Sequence, residues 1–246
     1  MIPVLLVGPP GVGKTATTFS NYDYVEVLLL SACTEEDIAG IPYQVEGREF
    51  RTQPPFIQRL KEAKGTRCLF LDELDKARRS VADTLLSLVQ NPERFGLDSD
   101  IQIMAAANPP EWGGGDGISK AMQSRFSVVT FTPSVKDWQE YIERKFDNAG
   151  ASKVAARVVS GEIPLLDVTG EDYAWRLTCP RTLDRALEVM TASLPWDKKV
   201  TYVQGLLTPN AASGVTSCFS SSDPVQALSR RVGAAAIRKR GQPLRV

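Results

Sequence analysis

The amino-acid sequence predicts an α/β fold: a three-layer sandwich around a parallel five-stranded sheet, followed by a small helical domain. Three observations carry this expectation. The first half alternates strand-like and helix-like segments, the mark of parallel strands joined by crossover helices. Two of the strand-like segments, Arg67–Leu71 and Ile101–Ala106, are nearly continuous apolar runs, as strands covered on both faces should be. After Pro133 the pattern turns mainly helical, so the expected units are residues 1–132 and 133–246.

Taken in order, Pro3–Val7 reads as a short buried strand. It runs into Gly8-Pro9-Pro10-Gly11-Val12-Gly13-Lys14-Thr15, which fits G-x-x-x-x-G-K-[ST], the phosphate-binding loop of nucleoside triphosphatases. Glycines let the backbone curl so that successive N–H groups point at phosphate oxygens. Lys14 can reach the β- and γ-phosphates, and the Thr15 hydroxyl can hold Mg²⁺. A helix over Gly13–Ser20, entered through Thr15 and Ala16, presents its N-terminus to the anion. The expected sheet is therefore that of a P-loop nucleoside triphosphatase, with Gly8 to Ala16 as the nucleotide contact.

Tyr24–Leu30 is the next strand candidate, and Tyr43–Arg51 reads as a small hairpin with Gly47 in its turn. A helix over Phe56–Lys64 leads to the strand Arg67–Leu71. Ser80–Gln90 is the third helix, with Ser80 as its expected cap and Val81, Leu85, Leu88 and Val89 at helical spacing. Ile101–Ala106 is the fourth strand. Trp112–Gly117 is a mobile loop by composition, Ser119–Ser124 a short helix and Val128–Phe131 the fifth strand. In the second half Ser134–Ala149 and Thr182–Leu194 carry one-sided apolar spacing, with Pro180 near the start of the latter. The stretch from Thr208 to Ser222 is rich in Ser, Ala and Thr and has no assignable period. The tail after Pro224 holds Arg230, Arg231, Arg238, Lys239, Arg240 and Arg245 with no acid.

The third strand ends in Asp72-Glu73. A carboxylate at that edge, beside the phosphate loop, would hold Mg²⁺, and Glu73 would polarise a water against the γ-phosphate as general base. Asn108, just past the fourth strand, would orient that water or touch the γ-phosphate; otherwise Asn108-Pro109 merely begins a turn. Arg125 precedes the fifth strand. It suits an arginine supplied to a neighbouring subunit's phosphates, but residue physics by itself favours a surface arginine ending a helix. Arg181, at a helix start in the second half, poses the same choice: a reach toward the γ-phosphate from a lid, or a surface charge.

Composition removes other classes. The chain has no histidine, which excludes histidine-based catalysis and ligation. Lys+Arg and Asp+Glu are both 29, so no global field draws the chain to nucleic acid or a membrane surface. Cys33, Cys68, Cys179 and Cys218 are scattered without C-x-x-C spacing, which suits reduced thiols in the cytoplasm rather than a zinc site or disulfide framework. No apolar run is long enough to span a bilayer.

Taken together these motifs resemble an AAA+ ATPase, and within that superfamily the MoxR-like and dynein-related branch. The matching segments are Gly8–Thr15 (Walker A), Leu69–Glu73 (Walker B), Asn108 (sensor 1), Ser124-Arg125-Phe126 (the arginine-finger segment) and Cys179-Pro180-Arg181-Thr182 (sensor 2). Asp37-Ile38-Ala39-Gly40 with the Tyr43–Arg51 hairpin resembles the helix-2 insert of that branch. The resemblance implies ATP and Mg²⁺ as cofactors, with Glu73, Asn108, Arg125 and Arg181 acting in hydrolysis and Thr15 and Asp72 on the metal. It also implies a homo-hexameric ring with a helical lid over each site, coupled to remodelling or activation of a partner protein. The alternative use of the same residues is a DNA-acting motor or loader of a restriction, replication or phage system.

Overall fold

The computed structural model describes residues 1–112, 118–167 and 176–219. Most of the loop expected over Trp112–Gly117, and the basic tail after Pro224, lie outside these residues. The chain divides into two compact units, Met1–Thr132 and Pro133–Val246.

The first unit runs β1 (Val4–Val7), α1 (Lys14–Asn21), β2 (Tyr24–Leu29), α2 (Glu35–Ala39), β3 (Pro42–Val45), β4 (Arg48–Arg51), α3 (Pro55–Glu62), β5 (Arg67–Asp72), α4 (Arg79–Gln90), β6 (Gln102–Ala107), α5 (Lys120–Gln123) and β7 (Ser127–Thr130). Five strands form one parallel sheet in the order β2-β5-β6-β1-β7. Leu5, Ala105 and Leu71 lie side by side across the middle strands. With Leu69 and Ile103 they face a core closed by Ile38, Phe56, Ile57, Leu60, Val81, Leu85 and Leu88 from α2, α3 and α4. The opposite face buries Cys68, Phe70 and Ala106, with Tyr22, Val25 and Val27 against them. Helices thus cover both faces, which is why β5 and β6 read as apolar runs.

Several boundaries differ from expectation for local reasons. β5 includes Asp72, because that residue still pairs with Leu29 of β2. Ser80 does not cap α4; the helix opens at Arg79 with the extended Arg78 before it. The short α2 was not anticipated as a helix. Thr34 caps it by a reciprocal box, its backbone N–H donating to Asp37 Oδ2 at 2.8 Å. The hairpin β3–β4 turns through Glu46 and Gly47, both at positive φ (51° and 78°), a two-residue turn whose twist suits a tight hairpin. Its Tyr43 and Phe50 pair across the strands with ring centroids 5.8 Å apart and remain exposed.

The second unit contains α6 (Val135–Lys145), α7 (Ala149–Val159), α8 (Pro180–Thr191), α9 (Trp196–Leu206) and α10 (Pro209–Phe219) among the described residues. Trp138, Ile142, Val154, Val158, Leu183, Leu187, Val203 and Val215 meet in its core. The helix expected over Ser134–Ala149 stops early, α6 ending at Lys145, and a further helix, α7, begins at Ala149, where Asn148 caps it by accepting from the N–H groups of Gly150 and Ala151 at 2.8 and 3.2 Å. α10 occupies most of the stretch in which no period was assignable; its buried residues are Ala211, Ala212, Val215, Cys218 and Phe219. All four cysteines are free. Among the described residues no helix is long and apolar enough to cross a membrane.

Candidate active site

The site lies where β1, β5 and β6 end. Gly8 continues the ladder, its N–H donating to Ala107 O at 3.3 Å. A Cβ at Gly8 would sit 2.3 Å from the Phe131 carbonyl oxygen, so only glycine lets the loop leave β1 beside the end of β7. Gly11 and Gly13 take φ of 74° and 103°, and Gly13 stands directly before α1. These left-handed positions curl the backbone of Pro9, Pro10 and Val12 around the start of the helix. Ala16 follows in the first turn of α1.

Lys14 is buried at this curl. Its Nζ donates to Gly8 O at 2.7 Å, to Pro9 O at 2.9 Å and to Asn108 Oδ1 at 2.9 Å. The ammonium thereby ties the loop to the end of β6. Thr15 Oγ1 donates to Asp72 Oδ2 at 3.2 Å, joining the loop to the end of β5. A hydroxyl and a carboxylate oxygen this close are hard donors, and they fit Mg²⁺, which takes one or two protein oxygens and completes its shell with phosphates and water. Among the described residues no cluster of three or more His, Cys, Asp or Glu offers an alternative cation site.

Asp72 Oδ1 accepts the N–H of Glu73 at 2.9 Å. Glu73 itself adopts a left-handed backbone (φ 56°, ψ 43°), which costs a non-glycine residue roughly 1–3 kcal/mol. The kink turns the chain sharply off the strand into a single 3-10 turn, Leu74–Lys76. Lys76 Nζ then reaches back to Glu73 Oε1 at 2.9 Å. One residue earlier, Asp75 is buried, and its Oδ1 accepts the backbone N–H of Asn108 at 3.0 Å. Thr18, fully buried one turn into α1, donates to Lys14 O at 3.2 Å. Within β5, burial pushes the Cys68 thiol up to about 12, so it is an inert neighbour rather than a nucleophile.

Gly8 to Ala16, Asp72, Glu73 and Asn108 therefore come together at one edge of the sheet. Arg125 stands apart. It follows α5, and its guanidinium donates to Ala121 O at 3.0 Å, Ser124 Oγ at 2.7 Å and Gln90 Oε1 at 3.5 Å. Arg181 belongs to the second unit, exposed in the first turn of α8, where a cation opposes the helix dipole. The sequence reading missed Asp75, Lys76 and Thr18. No local signal marks Asp75, whose partner Asn108 lies 33 residues further along the chain.

The family model for AAA domains of the dynein-related subfamily matches residues 3–126, half of the chain. An ATP-dependent zinc metalloprotease FtsH from Pirellula staleyi is 34% identical over 130 residues, which is 44% of this chain and 16% of that protein. FtsH from Sulfurovum sp. is 33% identical over 131 residues, again 44% of this chain and 17% of that protein. These matches thus span about a sixth of the length of the curated relatives. Among solved structures, the RuvB Holliday junction branch migration motor of Thermotoga maritima aligns at 18% identity and a TM-score of 0.47, over 99% of this chain and 71% of that one. The matched span runs from the start of β1 to the end of α5 and holds the phosphate loop, the paired carboxylates and Asn108, and the chain belongs to the dynein-related subfamily of AAA domains, which are P-loop ATPases.

Proposed function

We propose that this chain is a Mg²⁺-dependent ATPase subunit that assembles into a homo-hexameric ring and couples hydrolysis to the remodelling or activation of a partner protein, as MoxR-like chaperones do. The observation that carries the reading is the junction of Lys14 with Asn108 and of Thr15 with Asp72, at 2.9 and 3.2 Å, beside Glu73. In this reading the loop N–H groups from Gly8 to Ala16 bind the phosphates. Lys14 exchanges its loop carbonyls for phosphate oxygens. Thr15 and Asp72 would hold Mg²⁺, whose charge would offset that of the bound phosphates. Glu73 takes a proton from the attacking water, and Asn108 orients that water. Positioning and electrostatics then supply the rate, as phosphoryl transfer requires.

In the same reading Arg125 completes the site of a neighbouring copy, and Arg181 serves hydrolysis as the sensor-2 arginine. Support for the trans role is positional: Arg125 bonds to α5 and Gln90 and not to its own loop. The exposed Tyr43–Phe50 face of the hairpin is the surface assigned to the partner. The test is turnover as a function of protein concentration, with native mass spectrometry in ATP. Specific activity should rise steeply where hexamers form. Arg125→Ala should lower kcat by about 10³-fold with nucleotide affinity kept. Full activity of Arg125→Ala, or of dilute monomer, contradicts the assembly. Stimulation by DNA rather than by a protein would assign the partner to the other class.

A further inference from the structure

We infer that Asp75 is a positioning residue of this ATPase: it clamps the backbone of Asn108 and so ties the two halves of the hydrolytic site, Asn108 and Glu73, into one mechanical unit. The inference rests on the roles proposed above for Asn108 and Glu73. The geometry behind it is specific. Asp75 is only 4% exposed, yet it lies in a turn at the sheet's edge. Its Oδ1 accepts the N–H of Asn108 at 3.0 Å. Asn108 directly follows β6, so that N–H is the first backbone donor beyond the strand's last residue, Ala107. On its other side Asn108 accepts from Lys14 through Oδ1 at 2.9 Å. Asn108 is thus held through its backbone by the turn after β5 and through its side chain by the phosphate loop.

The turn that supplies Asp75 begins with Glu73 in its left-handed conformation and closes with Lys76, whose N–H donates to Glu73 O at 2.9 Å. A single 3-10 turn has almost no internal freedom, so Asp75 and Glu73 move together. A pull on Asn108, such as phosphate replacing its contact with Lys14, is transmitted through Asp75 to the backbone that aims the Glu73 carboxylate. Burying a carboxylate is costly unless it is well bonded, and a group bonded across two strand ends is placed to fix their relative position. Groups that orient a reacting residue commonly contribute about 10- to 100-fold to activity.

The experiment is a double-mutant cycle on ATP turnover between Asp75 and Asn108, with thermal unfolding and nucleotide binding measured in parallel. Asp75→Ala should lower kcat by about 10- to 100-fold while the Kd for a fluorescent ATP analogue stays within about 3-fold. Asp75→Asn, which keeps an oxygen for the Asn108 N–H, should recover most of the rate. In the Asn108→Ala background Asp75→Ala should cost less than about 3-fold further, because the side chain that the Asp75 bond positions is then already gone. Should Asp75→Ala not fold, Asp75→Asn alone against Asn108→Ala remains decisive, since loss of kcat in Asp75→Asn as large as in Asn108→Ala overturns the clamp. Full additivity in the cycle, or a parent kcat in Asp75→Ala, also overturns it. A parent rate in Asn108→Ala instead refutes the role proposed for Asn108, and with it the clamp.

Discussion

At the scale of single residues, the site is built from backbone conformations that few side chains tolerate. Gly8 abuts the Phe131 carbonyl, and Glu73 holds a left-handed backbone next to Asp72. The two differ in kind. At Gly8 the constraint is a close approach: a methyl group would lie 2.3 Å from a backbone oxygen, and backbone cannot swing aside as a flexible side chain can. Gly8→Ala should therefore destabilise the first unit by about 2–4 kcal/mol and weaken ATP binding with it. Gly47→Ala, at φ +78° with nothing within 4 Å, provides the contrast. It should cost only about 1 kcal/mol, for backbone strain alone, and leave ATP binding unchanged. Thermal unfolding and nucleotide titration of the two variants measure this difference. At Glu73 the strain serves aim rather than packing: the kink brings Asp75 under Asn108.

At the scale of elements, the central strands are locked to their helices by more than apolar contact. Glu26 in β2 is nearly buried, and Arg59 of α3 forks onto it while the Tyr24 hydroxyl donates to it at 2.7 Å. Burial pushes the Glu26 carboxyl up, but the bonds from Arg59 and Tyr24 outweigh it and leave the group below the usual glutamate range. A carboxyl depressed in the folded state stabilises above its unfolded pKa, and that stability is lost as pH falls through the lower folded value. Arg59 is half exposed, which limits the pair to about 1 kcal/mol. Glu26→Gln should thus unfold at lower temperature than the parent at pH 7, with the gap closing below about pH 4, as calorimetry across that range would record. These elements also mark how far the sequence was legible. Strands, phosphate loop, paired carboxylates and Asn108 were readable because period and motif are local. α7 and α10 were not, because their buried faces use Ala, Gly and Cys, whose small size blurs the helical period. Gly150 is small for a tertiary reason: a Cβ there would meet the Phe219 ring at 2.5 Å. The Asp75–Asn108 bond spans two strand ends and has no local signature at all.

At the scale of the whole molecule, one sheet edge gathers the phosphate loop, Asp72, Glu73 and Asn108, while Arg125 bonds instead to α5 and Gln90 and Arg181 belongs to the second unit. The loop by itself signifies only nucleotide binding; the carboxylates and Asn108 beside it add the groups that the proposed hydrolysis uses. The central claim is that Glu73, set at the end of β5 by its left-handed kink, performs the hydrolytic step. Single-turnover hydrolysis of bound ATP by Glu73→Gln, measured beside ATP affinity, tests it most directly. The account predicts affinity within about 3-fold of the parent and a hydrolysis rate at least about 10²-fold lower. Hydrolysis at the parent rate by a variant that binds ATP normally would contradict it.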